Sequence, residues 1–192
     1  MNSETPASRP GPADSGDAGV PDGYLDLGAL YVPKVPGLQL RGKLESDGQT
    51  LRQVLLLLGT SGIAVSVAAA PKSGNSWPEL AAQIEASIEG NGGTAEEVNG
   101  PYGMEIKAGI PQASPNGKNA LVPTRIIGID GPRWVARIDV QGAAAAGDPE
   151  QSAAIEDLID RLIVNRGGEP KIRFDLMPLR LPKEAVSADE TE

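Results

Sequence analysis

Three arginines on two neighbouring stretches are the residues best suited to bind an anion. Arg133 and Arg137 flank Trp134 in GPRWVARIDVQG, and Arg125 lies in the preceding LVPTRIIGI. Guanidinium groups bind phosphates and carboxylates through paired hydrogen bonds. Together the three would form an anion site on a polar sheet face. The alternative is that nearby acids such as Asp139 pair with them.

Alternation in the same stretch predicts a strand with two unlike faces. Trp134, Ile138 and Val140 fall on one face, and Arg137 and Asp139 fall on the other. We therefore expect Trp134 to fill an aliphatic core, because aromatic residues make up only 3% of the chain. Arg137 would then point away from the tryptophan, onto the polar face.

Catalytic residue types are few. The chain contains no His and no Cys, which excludes Ser–His–Asp and Cys–His nucleophiles, disulfides and structural zinc sites of the usual kind. Lys72, Ser73 and Ser76 lie close together in PKSGNS, where a Ser–Lys nucleophile pair is conceivable. The simpler interpretation is a polar loop that leads into a helix cap at Ser76.

Acid pairs and glycine-rich loops give no stronger indication of a site. Glu85 and Glu89 are one helical turn apart, as are Glu156 and Asp160, and both pairs are expected to be solvated. Neither Gly117-Lys118 nor the glycines after residue 89 have the spacing or context of a phosphate-binding loop. We expect no catalytic residue, no cofactor and no metal site.

Composition narrows the function classes further. The 192 residues carry a net charge of −9 and are 40% hydrophobic. An acidic chain is poorly suited to binding nucleic acid, which favours a basic face. No apolar run approaches the ~18 residues of a membrane span, and residues 1–19 lack the features of a secretory signal. We expect a cytoplasmic protein without a membrane span.

Four regions are predicted along the chain. Residues 1–22 are rich in Pro, Gly, Ser and Asp and are expected to form a disordered arm. Residues 23–168 are expected to fold as one α+β domain. Residues 169–182 should form an extended segment packed on the core, and residues 183–192 a disordered acidic tail.

The predicted domain combines a sheet with two amphipathic helices. Short turns join successive strand-like stretches such as QVLLLLG and IAVSVAAA, so the sheet of about six strands should be mainly antiparallel. The run Leu55–Leu58 does not alternate, which predicts a central strand covered on both faces. Ser76 with Glu79 predicts a capping box for the first helix, and Asp148 with Pro149 predicts the start of the second.

The stretch EPKIRFDLMPLRLP near the end of the chain has two interpretations. It alternates apolar and polar residues but contains prolines, which exclude a long central strand. It either packs on the core or adds to the sheet edge of a partner protein. In the second case Phe174, Leu176 and Leu179 would form part of the partner surface.

Several stretches resemble a known family. Ala70–Ile106, Gly128–Ile138 and Met177–Pro182 look like uncharacterised actinobacterial proteins of a domain-of-unknown-function family (DUF3710-like). The resemblance implies a cytoplasmic protein with no established activity, so it supplies no catalytic residues. More loosely, the order of elements is similar to the Mog1/PsbP-like fold, which implies an α/β/α sandwich whose members mostly bind proteins.

These observations favour a non-catalytic cytoplasmic domain that binds another protein through its sheet face or its C-terminal segment. The alternative is a binder of, or an enzyme acting on, a small anionic ligand held by Arg125, Arg133 and Arg137.

Overall fold

The computed structural model describes residues 9–182, which contain three helices and eleven strands. The helices are α1 (Ser15–Ala18), α2 (Trp77–Gly90) and α3 (Pro149–Arg161). The strands are β1 (Ala13–Asp14), β2 (Tyr24–Asp26), β3 (Leu30–Pro33), β4 (Gln39–Arg41), β5 (Val54–Leu58), β6 (Ser61–Ala69), β7 (Thr94–Gly100), β8 (Gly103–Ala113), β9 (Asn119–Gly131), β10 (Trp134–Gly142) and β11 (Ile163–Val164).

Most strands belong to one antiparallel sheet. Its seven strands lie in the order β4-β5-β6-β10-β9-β8-β7, and every neighbouring pair is antiparallel. A second, four-stranded sheet has the order β1-β11-β3-β2, in which β1 and β11 are parallel. The predicted α+β class with a mainly antiparallel sheet is confirmed. The small sheet was not predicted, because its strands are two to four residues long.

The large sheet has a hydrophobic core on each face. On one face, Trp134, Ile138 and Val140 of β10 pack with residues of α3 and of the small sheet. On the other face, Val135 packs with residues of α2, β8 and β9. Alternate residues of one strand thus enter opposite cores, as the pleat of a strand requires. Trp134 is buried, and its Nε1 donates a hydrogen bond of 2.8 Å to Asp14.

The two long helices begin in different ways. The side chain of Asp148 accepts a 2.9 Å hydrogen bond from the backbone N–H of Gln151, and Pro149 is the first residue of α3. At α2 the Ser76 hydroxyl makes no capping bond. Instead the carboxylate of Asp130, at the end of β9, accepts hydrogen bonds from the N–H groups of Ser76 and Trp77, at 2.8 and 3.1 Å. The predicted capping box at Ser76 is therefore wrong, because a distant acid takes its place.

The described part of the predicted disordered arm is folded onto the domain. Ala13 and Asp14 pair with β11, and Asp14 also accepts the Trp134 hydrogen bond. Arg9 forms ion pairs with Glu156, Asp157 and Asp160 of α3. The composition of this region predicted disorder because it has few apolar residues, whereas backbone pairing and charge hold residues 9–14. Residues 1–8 and 183–192 lie outside the described residues.

The C-terminal segment runs beside the large sheet and then reaches the small one. The N–H groups of Phe174 and Met177 donate to the carbonyls of Ala69 and Val67 at the end of β6, where β5 no longer pairs with it. Further on, Leu179 exchanges two backbone hydrogen bonds with Leu51. Because the C-terminal segment lies beside β6, Phe174 and Leu176 reach the edge of the sheet face described below.

Among residues 9–182, no helix combines the length and the hydropathy that crossing a membrane requires.

Candidate functional site

One half of one face of the large sheet carries no helix. The side of the sheet that faces α2 is covered where Trp77, Ala81, Ile84 and Ile88 pack over β8, β9 and β10. Over β4, β5 and β6 the same face is open, and Leu55 of β5 is 36% exposed. We call the α2-facing side of β4, β5 and β6, together with Arg137, Asp139 and Gln141 of β10, the open half-sheet. The prediction that both faces of Leu55–Leu58 are covered is therefore wrong.

Side-chain size makes the open half-sheet a groove. Strand β6 presents only small side chains to this face, those of Ala64, Ser66 and Ala68 together with Gly62. The neighbouring strands β5 and β10 carry taller side chains, including Leu55 and Arg137. A low central strand between two higher ones leaves a trough that is open to solvent along its length.

The end of the trough nearest α2 holds the larger cavity, which we call the basic groove. Its volume is about 700 Å³. Its lining comprises Arg41, Gly42, Lys43, Glu45, Arg52, Gln53, Leu55, Ser66, Ala68, Leu80, Val135, Arg137, Phe174 and Leu176.

Cations outnumber acids around the basic groove. Arg52 pairs with Glu45 at 3.2 Å, and Arg137 pairs with Asp139 at 2.8 Å. The guanidinium of Arg41 reaches only the amide oxygen of Gln39. Neither it nor Lys43 has a carboxylate partner among residues 9–182. Two cations are therefore free to pair with acids supplied from outside.

Apolar side chains form the wall of the basic groove between α2 and the C-terminal segment. Leu80 comes from α2, and Phe174 and Leu176 come from the C-terminal segment. Leu176 is 46% exposed. Phe174 has a positive φ of 65°, a conformation that is uncommon for a bulky residue. The guanidinium of Arg173 lies 4.4 Å from the centre of its ring.

The far end of the trough is more polar. A second cavity of about 640 Å³ shares Gln53 and Leu55 with the basic groove and continues past Asp139 and Gln141. It ends at the β5–β6 turn, at Gly59–Gly62. Six residue steps separate Gln53 from Gly59, so the trough is about 20 Å long at ~3.3 Å per residue.

The structure separates the three arginines that the sequence placed together. Arg125 is paired with Val140 in the register, so its side chain lies on the α3 side of the sheet. There its guanidinium binds both oxygens of Glu105, at 2.8 and 3.1 Å, and one oxygen of Glu156, at 3.2 Å. Burial acts to lower the pKa of Arg125, but these ion pairs outweigh it and raise the pKa. The predicted three-arginine site is therefore wrong.

Arg133 and Arg137 also lie apart. Arg133 occupies the tight turn between Gly131 and Trp134, where its φ is +62°. Its carbonyl accepts hydrogen bonds from the backbone N–H of Ala70 and from the side chain of Arg166, and Arg133 does not line the basic groove. Only Arg137 of the three faces the open half-sheet.

The apolar residues predicted for the C-terminal surface also divide. Phe174 and Leu176 line the basic groove. Leu179 is 1% exposed and packs in the core, so it is unavailable to a partner. The groove residues that the prediction missed are Arg41, Lys43 and Arg52. In LQLRGKLE (residues 38–45), apolar and polar residues alternate, which puts Arg41 and Lys43 on one polar face of a strand, but nothing local shows that this face borders a cavity.

The residues considered for catalysis do not form a catalytic arrangement. Lys72 and Ser73 are exposed, and the Ser76 hydroxyl is buried without a hydrogen-bond partner. Glu156 and Asp160 are occupied by Arg9. Within residues 9–182, no group of three or more acidic side chains is placed to hold a metal ion.

Asp160 also holds the ring of a tyrosine next to the N-terminal segment. The hydroxyl of Tyr102 donates to Asp160 at 2.9 Å, and the backbone N–H of Gly11 donates to the same carboxylate oxygen at 3.1 Å. Burial, together with this hydrogen bond, raises the pKa of Tyr102. The hydrogen bonds to Asp130 and Asp160 show that acids on both faces of the sheet serve the fold.

Comparison with known proteins places the chain in an uncharacterised group. Residues 11–188 match the family described as "Protein of unknown function (DUF3710)". No curated protein matches the chain. Among solved structures, that of cyanobacterial PsbP (CyanoP) from Synechocystis sp. PCC 6803 is similar with a TM-score of 0.44 and 10% sequence identity. The similarity covers 77% of this chain and 96% of that one.

Proposed function

This chain belongs to the DUF3710 family of proteins of unknown function, and from that premise we propose that it is a non-catalytic domain that binds another protein through the open half-sheet. The observation that carries the proposal is a sheet face that is left uncovered although α2 covers its other half. A solvent-exposed groove with apolar and charged walls is typical of a protein-interaction surface.

Exposed apolar residues near the groove support this function. Leu55 and Leu176, which line the basic groove, are 36% and 46% exposed. Each exposed leucine alone is ordinary, but two of them at one cavity favour an apolar contact that a partner would complete.

A small anionic ligand is the weaker alternative. Small-molecule sites bury most of the ligand's surface, whereas this trough is open to solvent along about 20 Å. Of the three arginines proposed to bind the anion, Arg125 is held by two carboxylates on the other face.

We infer further that the protein acts in the cytoplasm. This inference rests on the sequence resemblance, and cell fractionation would test it.

Filling the groove tests the proposed function. Ser66 lies on the floor of the basic groove, so Ser66→Trp should block it without changing the charge. Gln83→Trp, on the exposed side of α2, adds the same bulk elsewhere. Tagged wild-type and variant chains are recovered from the source cells, and the bound proteins are quantified by mass spectrometry.

We expect a protein that is retained by the wild type and by Gln83→Trp but lost from Ser66→Trp. Circular dichroism checks that both variants remain folded. Equal recovery from all three chains, or no specific protein with the wild type, would contradict the proposed function.

A further inference from the structure

The charge of the basic groove is opposite to that of the chain. The whole chain carries −9, yet Arg41, Lys43, Arg52 and Arg137 surround one cavity that contains a single acid, Glu45. On the basis of the proposed function, we infer that the occupant of the basic groove is an acidic segment of a partner protein that also carries a bulky apolar side chain.

Unpaired cations determine the sign of the partner's charge. Arg41 and Lys43 have no carboxylate partner among residues 9–182, and Arg52 pairs with Glu45 while its side chain is 70% exposed. An acidic segment would gain ion pairs with the first two without breaking an existing one. A basic segment would meet like charges, which disfavours it by electrostatic repulsion.

The same charge argues against a second copy of this chain as the occupant. A two-fold dimer brings the same patch of both subunits together. Two basic grooves facing each other would oppose the cations of Arg41, Lys43 and Arg137 with an identical set. A two-fold dimer formed through the basic groove is therefore disfavoured.

The apolar requirement comes from the wall at the α2 end. Leu80, Phe174 and Leu176 line the same cavity as Leu55. Each offers apolar surface that a leucine or aromatic side chain of the partner would remove from water, which favours binding. Acids beside such a residue would reach Arg41 and Lys43.

The floor of the trough sets the shape of the partner segment. Ala64, Ser66 and Ala68 are short enough to admit a closely approaching backbone. At about 20 Å, the trough accommodates about six extended residues. A short peptide is therefore sufficient to test the inference.

The test is a selection from a random-sequence peptide library displayed on phage, with the full chain as bait. The groove variant Arg41→Glu/Arg137→Glu reverses two cations. The control Lys118→Glu/Lys72→Glu makes the same change in net charge at two exposed lysines outside the groove. Enriched peptides are then synthesised, and their binding is measured by fluorescence anisotropy at low and high salt.

We expect the wild type and the control to enrich peptides with several Asp or Glu residues around a Leu, Phe or Trp. The groove variant should bind these peptides at least tenfold more weakly, and salt should weaken binding to the wild type. Enrichment of neutral or basic peptides, equal binding by the groove variant, or no enrichment would overturn the inference. If a cellular partner is still lost from Ser66→Trp, the proposed function stands and only the acidic-partner inference fails.

Discussion

Replacing Arg125 by methionine should destabilise the fold far more than the same replacement of Arg137. Both arginines were candidates for one anion site, but the structure gives them different partners. Arg125 has a side chain that is 15% exposed and binds Glu105 and Glu156, which are 6% and 13% exposed. Arg137 is 37% exposed and pairs with Asp139.

The size of the effect follows from the carboxylates that remain. Arg125→Met leaves Glu105, whose side chain is 6% exposed, without its cation, whereas Glu156 keeps its ion pair with Arg9. Removing one partner of a buried ion pair costs about 3–5 kcal/mol. A domain of this size loses about 2–4 °C of melting temperature per kcal/mol, so the midpoint should fall by roughly 6–20 °C. Arg137→Met, at an exposed pair, should cost no more than about 1 kcal/mol.

Urea unfolding of the two variants, monitored by circular dichroism, measures this difference. The double variant Arg125→Met/Glu105→Gln removes the stranded charge and should recover part of the loss. Equal losses of stability for Arg125→Met and Arg137→Met would refute the assignment of Arg125 to the fold.

Three further predictions concern α2 and its contacts. Ser76→Ala should change the free energy of unfolding by less than about 0.5 kcal/mol, because its hydroxyl has no partner, whereas Asp130→Ala should cost about 1–2 kcal/mol by removing the cap. Thermal melts distinguish this outcome from a capping box at Ser76, in which case Ser76→Ala would destabilise more than Asp130→Ala. Gly128→Val should destabilise by about 1–3 kcal/mol, because a Cβ at this position overlaps the indole of Trp77; unchanged urea unfolding would contradict that contact. Burial and neighbouring acids raise the pKa of Glu85, so Glu85→Gln should stabilise by a few tenths of a kcal/mol at neutral pH. The gain should disappear as the pH falls through the carboxyl's pKa, and an equal gain at about pH 4 would contradict the shift.

The predictable parts of the fold rest on local patterns. Asp148 and Pro149 mark the start of α3 because a cap bonds to residues only three positions away. The alternation around Trp134 places it in a core, since the strand pleat fixes which residues share a face. The cap of α2 was missed because it comes from Asp130, 54 residues from Ser76.

The candidate site was harder to predict because it depends on which half of the sheet face is left uncovered by α2. The run Leu55–Leu58 has the composition of a fully covered strand, yet α2 covers only the other half of that face. The spacing of Arg125 and Arg137 in sequence does not show that strand register sends them to opposite faces. The polar face of Arg41 and Lys43 was visible in the sequence, but its position beside Phe174 and Leu176 follows only from the tertiary fold.

Site-specific photo-crosslinking in the source cells tests most directly whether the open half-sheet binds a partner. A photoreactive amino acid replaces Leu55 in the groove or, as the control, Gln83 on the outer side of α2. The account predicts one discrete protein adduct from Leu55 that is absent from Gln83 and is reduced by Arg41→Glu/Arg137→Glu. Adducts of equal yield from both positions, or none from Leu55, would contradict it.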